Sequence, residues 1–398
     1  MKLRKISTAR YLPIEFYVLL LPSIVIFITL LIINAPFVSI IEHFFMAQSI
    51  NAIIYGDKIL LSVFFVMAVY ITMKVVVSAW RAMYILAKNG SRSWAKESVI
   101  KGTISVSRSA VFVFLTYSLT SVVLVALLLQ IFGAVSFVNV VKSTITLTNI
   151  DSLIFGGYLP SVIHSLSRIP YLEQAIVRSY LSLVIITPVI LALLFLFNRR
   201  LFRKFTISFF LVFLIALPFW QLIPAVSPSA MYRFNLFQVP IPPNIESSMV
   251  KYPISPYLKN NIISIEDDFI NPSYRSIAVS TFPSMHAAWA MIVAYYGTIL
   301  FWPLGVLLVP WAIFNSFGAI YVEQHYGVDV IFGVLVAVTA IISVSYLLKV
   351  EEKYFNDKYN LFAVIDMANT DMRNLLRKAN NLHARLHMWI RQSVNNSK

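Results

Sequence analysis

HYGVDVIFGVLVAVTAIISVSYLL, residues 325–348, is the stretch that decides the fold of this chain. Beyond Asp329 it contains no charged residue before Lys349. A helix needs about 20 mostly apolar residues to cross a hydrocarbon core of roughly 30 Å. The stretch therefore predicts a membrane-spanning helix that begins beside a histidine and an aspartate.

The rest of the chain has the same character. Of its 398 residues, 59% are hydrophobic and 12% are charged, and the mean hydropathy of +0.78 is far from that of soluble domains. We therefore expect an all-α, polytopic integral membrane protein, a helical bundle with about eight transmembrane helices. The predicted spans are residues 15–41, 59–80, 110–132, 179–198, 205–223, 286–302, 303–322 and 327–348.

The basic residues predict the orientation of these spans. Of the 32 Lys and Arg residues, 24 lie before the first span, in 74–108, in RRLFRK at 199–204, or in the tail from Lys349. Because cytoplasmic loops carry the excess of Lys and Arg, both termini are expected to be cytoplasmic. Topology and anionic inner-leaflet lipid account for most of the formal net charge of +15. No nucleic-acid partner is expected, because the sequence contains no RNA- or DNA-binding motif.

Two polar connections, 142–178 and 224–285, are too long to be simple turns and are expected on the non-cytoplasmic side. The tail 349–398 places apolar residues at helical spacing among Lys and Arg. This pattern predicts an amphipathic helix on the cytoplasmic membrane surface, and a packing or dimer helix fits the pattern nearly as well.

Two spans begin with ionisable groups. Ser284 and His286 start the sixth span, where unpaired backbone N–H groups and the positive end of the helix dipole favour an anion. His325 and Asp329 start the eighth span and are four residues apart, so a helix would place them on one side. A carboxylate there can accept from one imidazole nitrogen and leave the lone pair of the other to act as nucleophile or base.

A third polar cluster, LIPAVSPSAMYR at 222–233, ends in Tyr232 and Arg233 after the fifth span. The predicted topology places all three clusters on the non-cytoplasmic face. Two histidines, a carboxylate, an arginine and helix-start amides together predict a phosphoryl-transfer site that requires no metal and no cofactor. The chain has no cysteine, which excludes thiolate chemistry and thiolate metal sites.

These residues resemble a known family. PSMH at 283–286 and HYGVD at 325–329 are similar to the second and third motifs of the type 2 phosphatidic acid phosphatase superfamily. Within it, FPSMH, HYGVD, IPAVSPSAMYR and TNIDSLIFGG at 148–157 most resemble the inositol phosphorylceramide synthase branch. The resemblance implies a six-helix, phosphatase-like core near the C-terminal half.

The resemblance also implies roles for the site residues. His325, oriented by Asp329, would attack phosphorus and form a phosphohistidine, while His286 would protonate the departing oxygen. Ser284 and Arg233 would bind the phosphate oxygens, with Tyr232 assisting. The donor would be a lipid phosphate, and the acceptor either a lipid hydroxyl, which makes a transferase, or water, which makes a phosphatase.

The chain departs from the superfamily pattern in two informative places, and one of them is the absence of the usual lysine-then-Arg-Pro pattern of the first motif. Standard phosphatases have Ser-Arg seven and six residues before the third-motif histidine, where this chain has Gly318 and Ala319. The lost arginine would clamp phosphate, which shifts the expectation from hydrolysis towards transfer.

We expect three regions: N-terminal spans and a basic cytoplasmic loop in 1–108, a membrane catalytic domain in 109–348, and a basic tail in 349–398. A non-catalytic lipid-binding protein is an alternative, because the usual clamp is missing. A transporter is a further alternative, although the predicted spans contain few polar groups at mid-membrane.

Overall fold

The computed structural model describes residues 137–270 and 281–354, together with seven positions between 18 and 28. This part of the chain is helical. Residues His164–Arg168 form a 3₁₀ turn, and residues Ser229–Arg233 form a π-helical turn. The helices of the two long ranges are α1 Phe137–Phe155, α2 Leu159–Ile163, α3 Pro170–Leu181, α4 Leu183–Phe197, α5 Arg199–Leu222, α6 Pro243–Lys251, α7 Pro256–Ile270, α8 Met285–Leu300, α9 Trp302–Tyr321 and α10 Gly327–Tyr354.

The chain divides into two compact units. One comprises residues 14–72 and 114–349 and contains every site residue. The other comprises residues 1–13, 73–113 and 350–398, of which the structure describes the last residues of α10. Several predicted features lie outside the described residues: the spans 59–80 and 110–132, most of the span 15–41, the basic segment 74–108 and the tail beyond residue 354.

Among the described helices, three are long and apolar enough to cross a membrane: Arg200–Leu222, Trp302–Tyr321 and Gly327–Glu351. A fourth candidate is the pair Tyr171–Leu181 and Leu183–Phe195, which is bent by 56°. The apolar character and these spans agree with a membrane protein. The count of eight spans stays a prediction.

The predicted span 179–198 is not one straight helix. It breaks at Ser182, whose hydroxyl donates to the Ser179 carbonyl at 2.8 Å and accepts from Trp311 Nε1 at 2.8 Å. A serine that hydrogen-bonds back to the preceding turn competes with the helix ladder and bends helices. The segment is therefore divided into α3 and α4 at this residue.

The two polar connections, 142–178 and 224–285, are in large part helical rather than irregular loops. Helices α1, α2, α3, α6 and α7 occupy much of residues 142–178 and 224–285. Three prolines of these connections stand at helix starts, namely Pro160, Pro170 and Pro243. Proline suits the first helical position, because its missing N–H would have no partner there.

Helix α8 lies at the centre of the bundle and packs against α4, α5 and α9. Its residues are buried on nearly all sides, which explains its small alanines and its lack of an amphipathic pattern. Gly297 permits close contact with α9, because a Cβ there would lie 2.3 Å from Leu308 Cδ1. On the other side, Trp289 stacks on Phe209 of α5 at a centroid distance of 4.8 Å.

Candidate active site

A backbone hydrogen bond joins the start of α8 to the start of α10. Ser284 is the N-cap of α8, and its hydroxyl oxygen accepts from the Ala287 N–H at 3.3 Å. The Ser284 N–H donates to the Asp329 carbonyl at 2.9 Å. Ser284 is fully buried, and the proton of its hydroxyl remains available for donation.

His325 lies in the turn between α9 and α10. Its Nδ1 is 3.0 Å from the Thr281 carbonyl oxygen, and a carbonyl can only accept, so Nδ1 carries the proton. In the neutral ring, Nε2 therefore holds the lone pair. The tautomer needed by a nucleophile is thus held by a backbone carbonyl.

Asp329 is the charged neighbour of His325 and stands at 3.6 Å, measured from Oδ2 to Nδ1. That distance is longer than a hydrogen bond, and Oδ2 instead accepts from the Tyr326 N–H at 2.9 Å. The carboxylate is fully buried. It can stabilise positive charge on the imidazole and at the same time caps the turn.

His286 lies beside His325. The two ring centroids are 5.7 Å apart with the planes at 61°, which brings both imidazoles within reach of one phosphoryl group. On its other side, His286 stacks on Tyr180 of α3 at 4.5 Å and 21°. Gly318 of α9 allows α3 to come this close, since a Cβ there would lie 2.9 Å from the Ile176 carbonyl oxygen and from Tyr180 Cβ.

Arg233 reaches the turn between α9 and α10 through a residue that the sequence analysis missed. Its Nε and Nη2 both donate to the carboxylate of Glu323, two residues before His325. Glu323 is fully buried and has a φ of 54°, a conformation that non-glycine residues rarely adopt. The only sequence signal was a lone acidic residue at the end of an apolar span.

His164 is a second residue that the sequence analysis missed, and it contacts the same carboxylate. Its Nδ1 is 3.7 Å from Glu323 Oε1, and its Nε2 donates to the Tyr321 carbonyl at 2.9 Å. Burial lowers the pKa of His164, while Glu323 acts to raise it. No spacing in the sequence could have paired residues so far apart.

Helix α1 contributes a polar stripe. Thr148 donates to the Thr144 carbonyl at 2.8 Å, so its oxygen accepts from the Tyr232 hydroxyl at 2.9 Å. Asp151 Oδ1 accepts from the Val328 N–H at 2.9 Å and so caps α10. Thr144, Thr148 and Asp151 recur at helical spacing on α1, which is a signal that the sequence does carry.

Asp151 is a weaker acid at this position than an aspartic acid ordinarily is. Burial raises its pKa to about 6, against the lowering effect of the Val328 hydrogen bond and with a further rise from the charge of Asp329. Its second oxygen, Oδ2, is buried and has no hydrogen-bond partner among residues 137–270 and 281–354. This carboxyl can therefore change its charge near neutral pH.

The structure brings together four of the six predicted site residues: His286 and His325 by ring contact, Asp329 by its charge, and Ser284 by its bond to the Asp329 carbonyl. Arg233 joins the same turn through Glu323. The Tyr232 hydroxyl is bonded to Thr148. Within the described ranges, no group of three or more His, Cys, Asp or Glu residues could hold a metal ion.

Comparison with known proteins gives one family. The model of the PAP2 superfamily matches residues 145–343, half of the chain. No curated protein and no solved structure matches. The chain belongs to the PAP2 superfamily, and this membership supports an enzyme with a phosphatase or phosphotransferase type of activity.

Proposed function

We propose that this PAP2 superfamily member is a lipid phosphotransferase that moves a phosphoryl headgroup between lipid-linked substrates through a phosphohistidine on His325. The observation that carries the proposal is the hydrogen bond from His325 Nδ1 to the Thr281 carbonyl, which leaves the Nε2 lone pair for attack. His286 lies beside that ring.

The first step forms the covalent intermediate. The Nε2 lone pair of His325 forms a bond to phosphorus, and the bond from phosphorus to the donor oxygen breaks. His286 gives its proton to that departing oxygen. Asp329, 3.6 Å from Nδ1, stabilises the positive charge that develops on the imidazole of His325.

The second step regenerates the enzyme. His286 takes a proton from the acceptor hydroxyl, whose oxygen attacks phosphorus while the P–N bond breaks. Arg233 and Ser284 stabilise the charge on the phosphoryl oxygens in both steps, and Tyr232 supports them. A ceramide or another lipid alcohol is the proposed acceptor, and a phosphoinositide-like lipid the proposed donor, as in inositol phosphorylceramide synthases.

The testing experiment supplies the detergent-purified protein with lipids labelled at phosphorus, namely phosphoinositides, phosphatidic acid and polyprenyl phosphate, with and without ceramide or diacylglycerol. Lipid product and free phosphate are followed together. We expect an acceptor-dependent lipid product, and an alkali-stable, acid-labile phosphate on the protein. His325→Asn should lose both, with activity reduced by on the order of 10³-fold or more.

The matched control is His387→Asn in the tail, which should keep full activity. Free phosphate without lipid product would identify a lipid phosphatase and overturn transfer. Equal turnover by His325→Asn and the parent would exclude His325 as the nucleophile. No turnover of any donor would favour the non-catalytic lipid-binding alternative.

A further inference from the structure

The carboxylate of Glu323 is shared by two basic side chains. Arg233 binds it from one side through Nε and Nη2, and His164 Nδ1 approaches Oε1 from another at 3.7 Å. Oε1 is the oxygen that also accepts from Arg233 Nη2. The left-handed backbone of Glu323 indicates that the surroundings force the residue into this place, as they do at functional sites.

Burial disfavours the charged form of His164 in this arrangement, and one nitrogen of the ring has no hydrogen-bond partner among the described residues. Its Nε2 donates to the Tyr321 carbonyl, so the lone pair of the neutral ring is on Nδ1. That lone pair faces a carboxylate oxygen, and in the part of the chain that the structure describes Nδ1 is buried without a hydrogen-bond partner. A buried polar atom without a partner requires an explanation.

Protonation of His164 would remove this conflict. With a proton on Nδ1, the ring could donate to Glu323 Oε1 while Nε2 still donates to the Tyr321 carbonyl. The positive charge of Arg233 opposes that protonation as long as the guanidinium stays on Glu323. Burial opposes it as well, whereas the charges of Glu323 and Glu173 favour it.

Arg233 has a competing use. Under the proposed function, its guanidinium binds the phosphoryl oxygens of the substrate, and an arginine that turns to phosphate gives up contacts with its carboxylate. Glu323 would then be a fully buried charge without a counterion, which is costly unless another cation replaces the arginine. Among the described neighbours of Glu323, His164 is the group already in position.

We propose that His164 replaces Arg233 as the partner of Glu323 when Arg233 turns to the phosphate of a bound lipid, so that lipid binding takes up a proton from solvent at His164 Nδ1. This inference rests on the proposed function in one respect only, the contact between Arg233 and phosphate. His164 is thus a positioning residue that frees Arg233 for the substrate.

The groups that face His164 define what else could titrate. Glu323 is in the turn between α9 and α10, and Arg233 is in the π-helical turn. Glu173 of α3 accepts from the Tyr321 hydroxyl at 3.1 Å. Tyr158 interacts electrostatically with Glu323 and Arg233. His164 is the group of this set that can gain a proton near neutral pH.

The experiment measures binding without turnover. His325→Asn protein is titrated by calorimetry with short-chain phosphatidylinositol, a phosphodiester with no group that titrates near neutral pH, in buffers of different ionisation enthalpy. We expect uptake of about one proton per bound lipid. We also expect an affinity for lipid that falls about tenfold per pH unit above the pKa that His164 has in the lipid-free protein. Because the measurement requires no phosphohistidine, failure of the proposed mechanism would not affect it.

Four further variants on the same background separate the explanations. His164→Gln keeps a donor for the Tyr321 carbonyl but cannot be protonated, and Glu323→Gln removes the charge that attracts the proton, so both should lose the uptake. The matched His387→Gln should keep it. Proton uptake that persists in His164→Gln, or lipid binding that is absent in the parent or unchanged in Arg233→Lys, would overturn the proposal.

Discussion

At the residue scale, Asp329 contributes its charge to His325, while the Thr281 carbonyl fixes the tautomer of that ring. One oxygen accepts from the Tyr326 N–H at 2.9 Å, and the same oxygen is 3.6 Å from His325 Nδ1. Because the Thr281 carbonyl already holds the tautomer of His325, the charge of Asp329 contributes less than in triads where the aspartate alone fixes it. Asp329→Asn should therefore reduce kcat about 10²-fold, rather than the roughly 10⁴-fold seen where the tautomer is lost.

Asp329→Ala serves as the comparison. It should reduce activity to a similar extent and also cost about 1–2 kcal/mol of stability, because the Tyr326 N–H loses its acceptor. Thermal unfolding in detergent and steady-state kinetics of both variants provide the measurement. A 10⁴-fold loss in Asp329→Asn would show that the carbonyl does not hold the tautomer.

The raised pKa of Asp151 predicts that the stability of the fold depends on pH. Its pKa of about 6 in the folded protein lies above its ordinary 3.8, so ionised Asp151 costs the fold roughly 3 kcal/mol. The stability that the protonated group contributes is complete below about pH 4 and is lost as the pH rises through about 6. Asp151→Asn keeps an acceptor for the Val328 N–H, and should unfold at a higher temperature than the parent at pH 8 and at the same temperature at pH 4.

Two variants provide the controls for Asp151. Asp151→Ala also removes the acceptor for the Val328 N–H and should be about 1 kcal/mol less stable than Asp151→Asn at either pH. Glu246→Gln replaces an exposed acid in the first turn of α6 and should show no such pH-dependent difference. An Asp151→Asn protein less stable than the parent at pH 8 would show that the ionised carboxylate stabilises the fold.

At this scale, the sequence predicts residues that act at short range. His325 with Asp329, and Ser284 with His286, are recognisable because each pair lies within a few residues of a helix start, although His325 stands in the turn before α10 and not on the helix as its spacing from Asp329 predicted. Glu323 and His164 are not recognisable in this way, because their partners are distant in the sequence. Glu323 is 90 positions from Arg233, and His164 is 159 positions from Glu323. Burial of such charges depends on tertiary packing alone.

At the scale of elements, the close contact between α8 and α10 depends on a glycine. A Cβ on Gly333 would lie 2.2 Å from the Ser284 carbonyl oxygen, a backbone atom that cannot rotate away. Gly333→Ala should therefore push the two helix starts apart, cost about 1–3 kcal/mol of stability and reduce activity at least tenfold. Gly157→Ala is the matched control, because nothing lies within 4 Å of the added Cβ.

Thermal unfolding and turnover of the two glycine variants provide the measurement. Unchanged activity in Gly333→Ala would mean that the positions of Ser284 and Asp329 can shift without loss.

The elements themselves were partly predictable. Apolar length locates α5, α9 and α10, because a buried or membrane-facing helix needs an uninterrupted apolar run. The bend at Ser182 and the helices within 142–178 and 224–285 were not predicted. The bend depends on side-chain hydrogen bonds to neighbouring turns, and the short helices are stabilised by packing rather than by a strong pattern of their own.

At the scale of the whole molecule, the predicted topology can be tested directly because the chain has no cysteine. Val250 of α6 is 76% exposed and should be on the non-cytoplasmic side, whereas Arg200 at the start of α5 should be cytoplasmic. In sealed right-side-out vesicles, a membrane-impermeant maleimide should label Val250→Cys and leave Arg200→Cys unlabelled until detergent is added. The reverse pattern would invert the topology.

The bond between Asp151 and Val328 has a consequence for the synthesis of the protein. It joins positions separated by 177 residues, so the acceptor is made long before its donor. At about 5–20 residues per second, the ribosome needs roughly 9–35 s to close that interval. During this time Asp151 is without the donor that it has in the folded protein. A chain that stalls before α10 would therefore keep Asp151 without this donor, and the contact between α1 and the start of α10 can form only after α10 has been made.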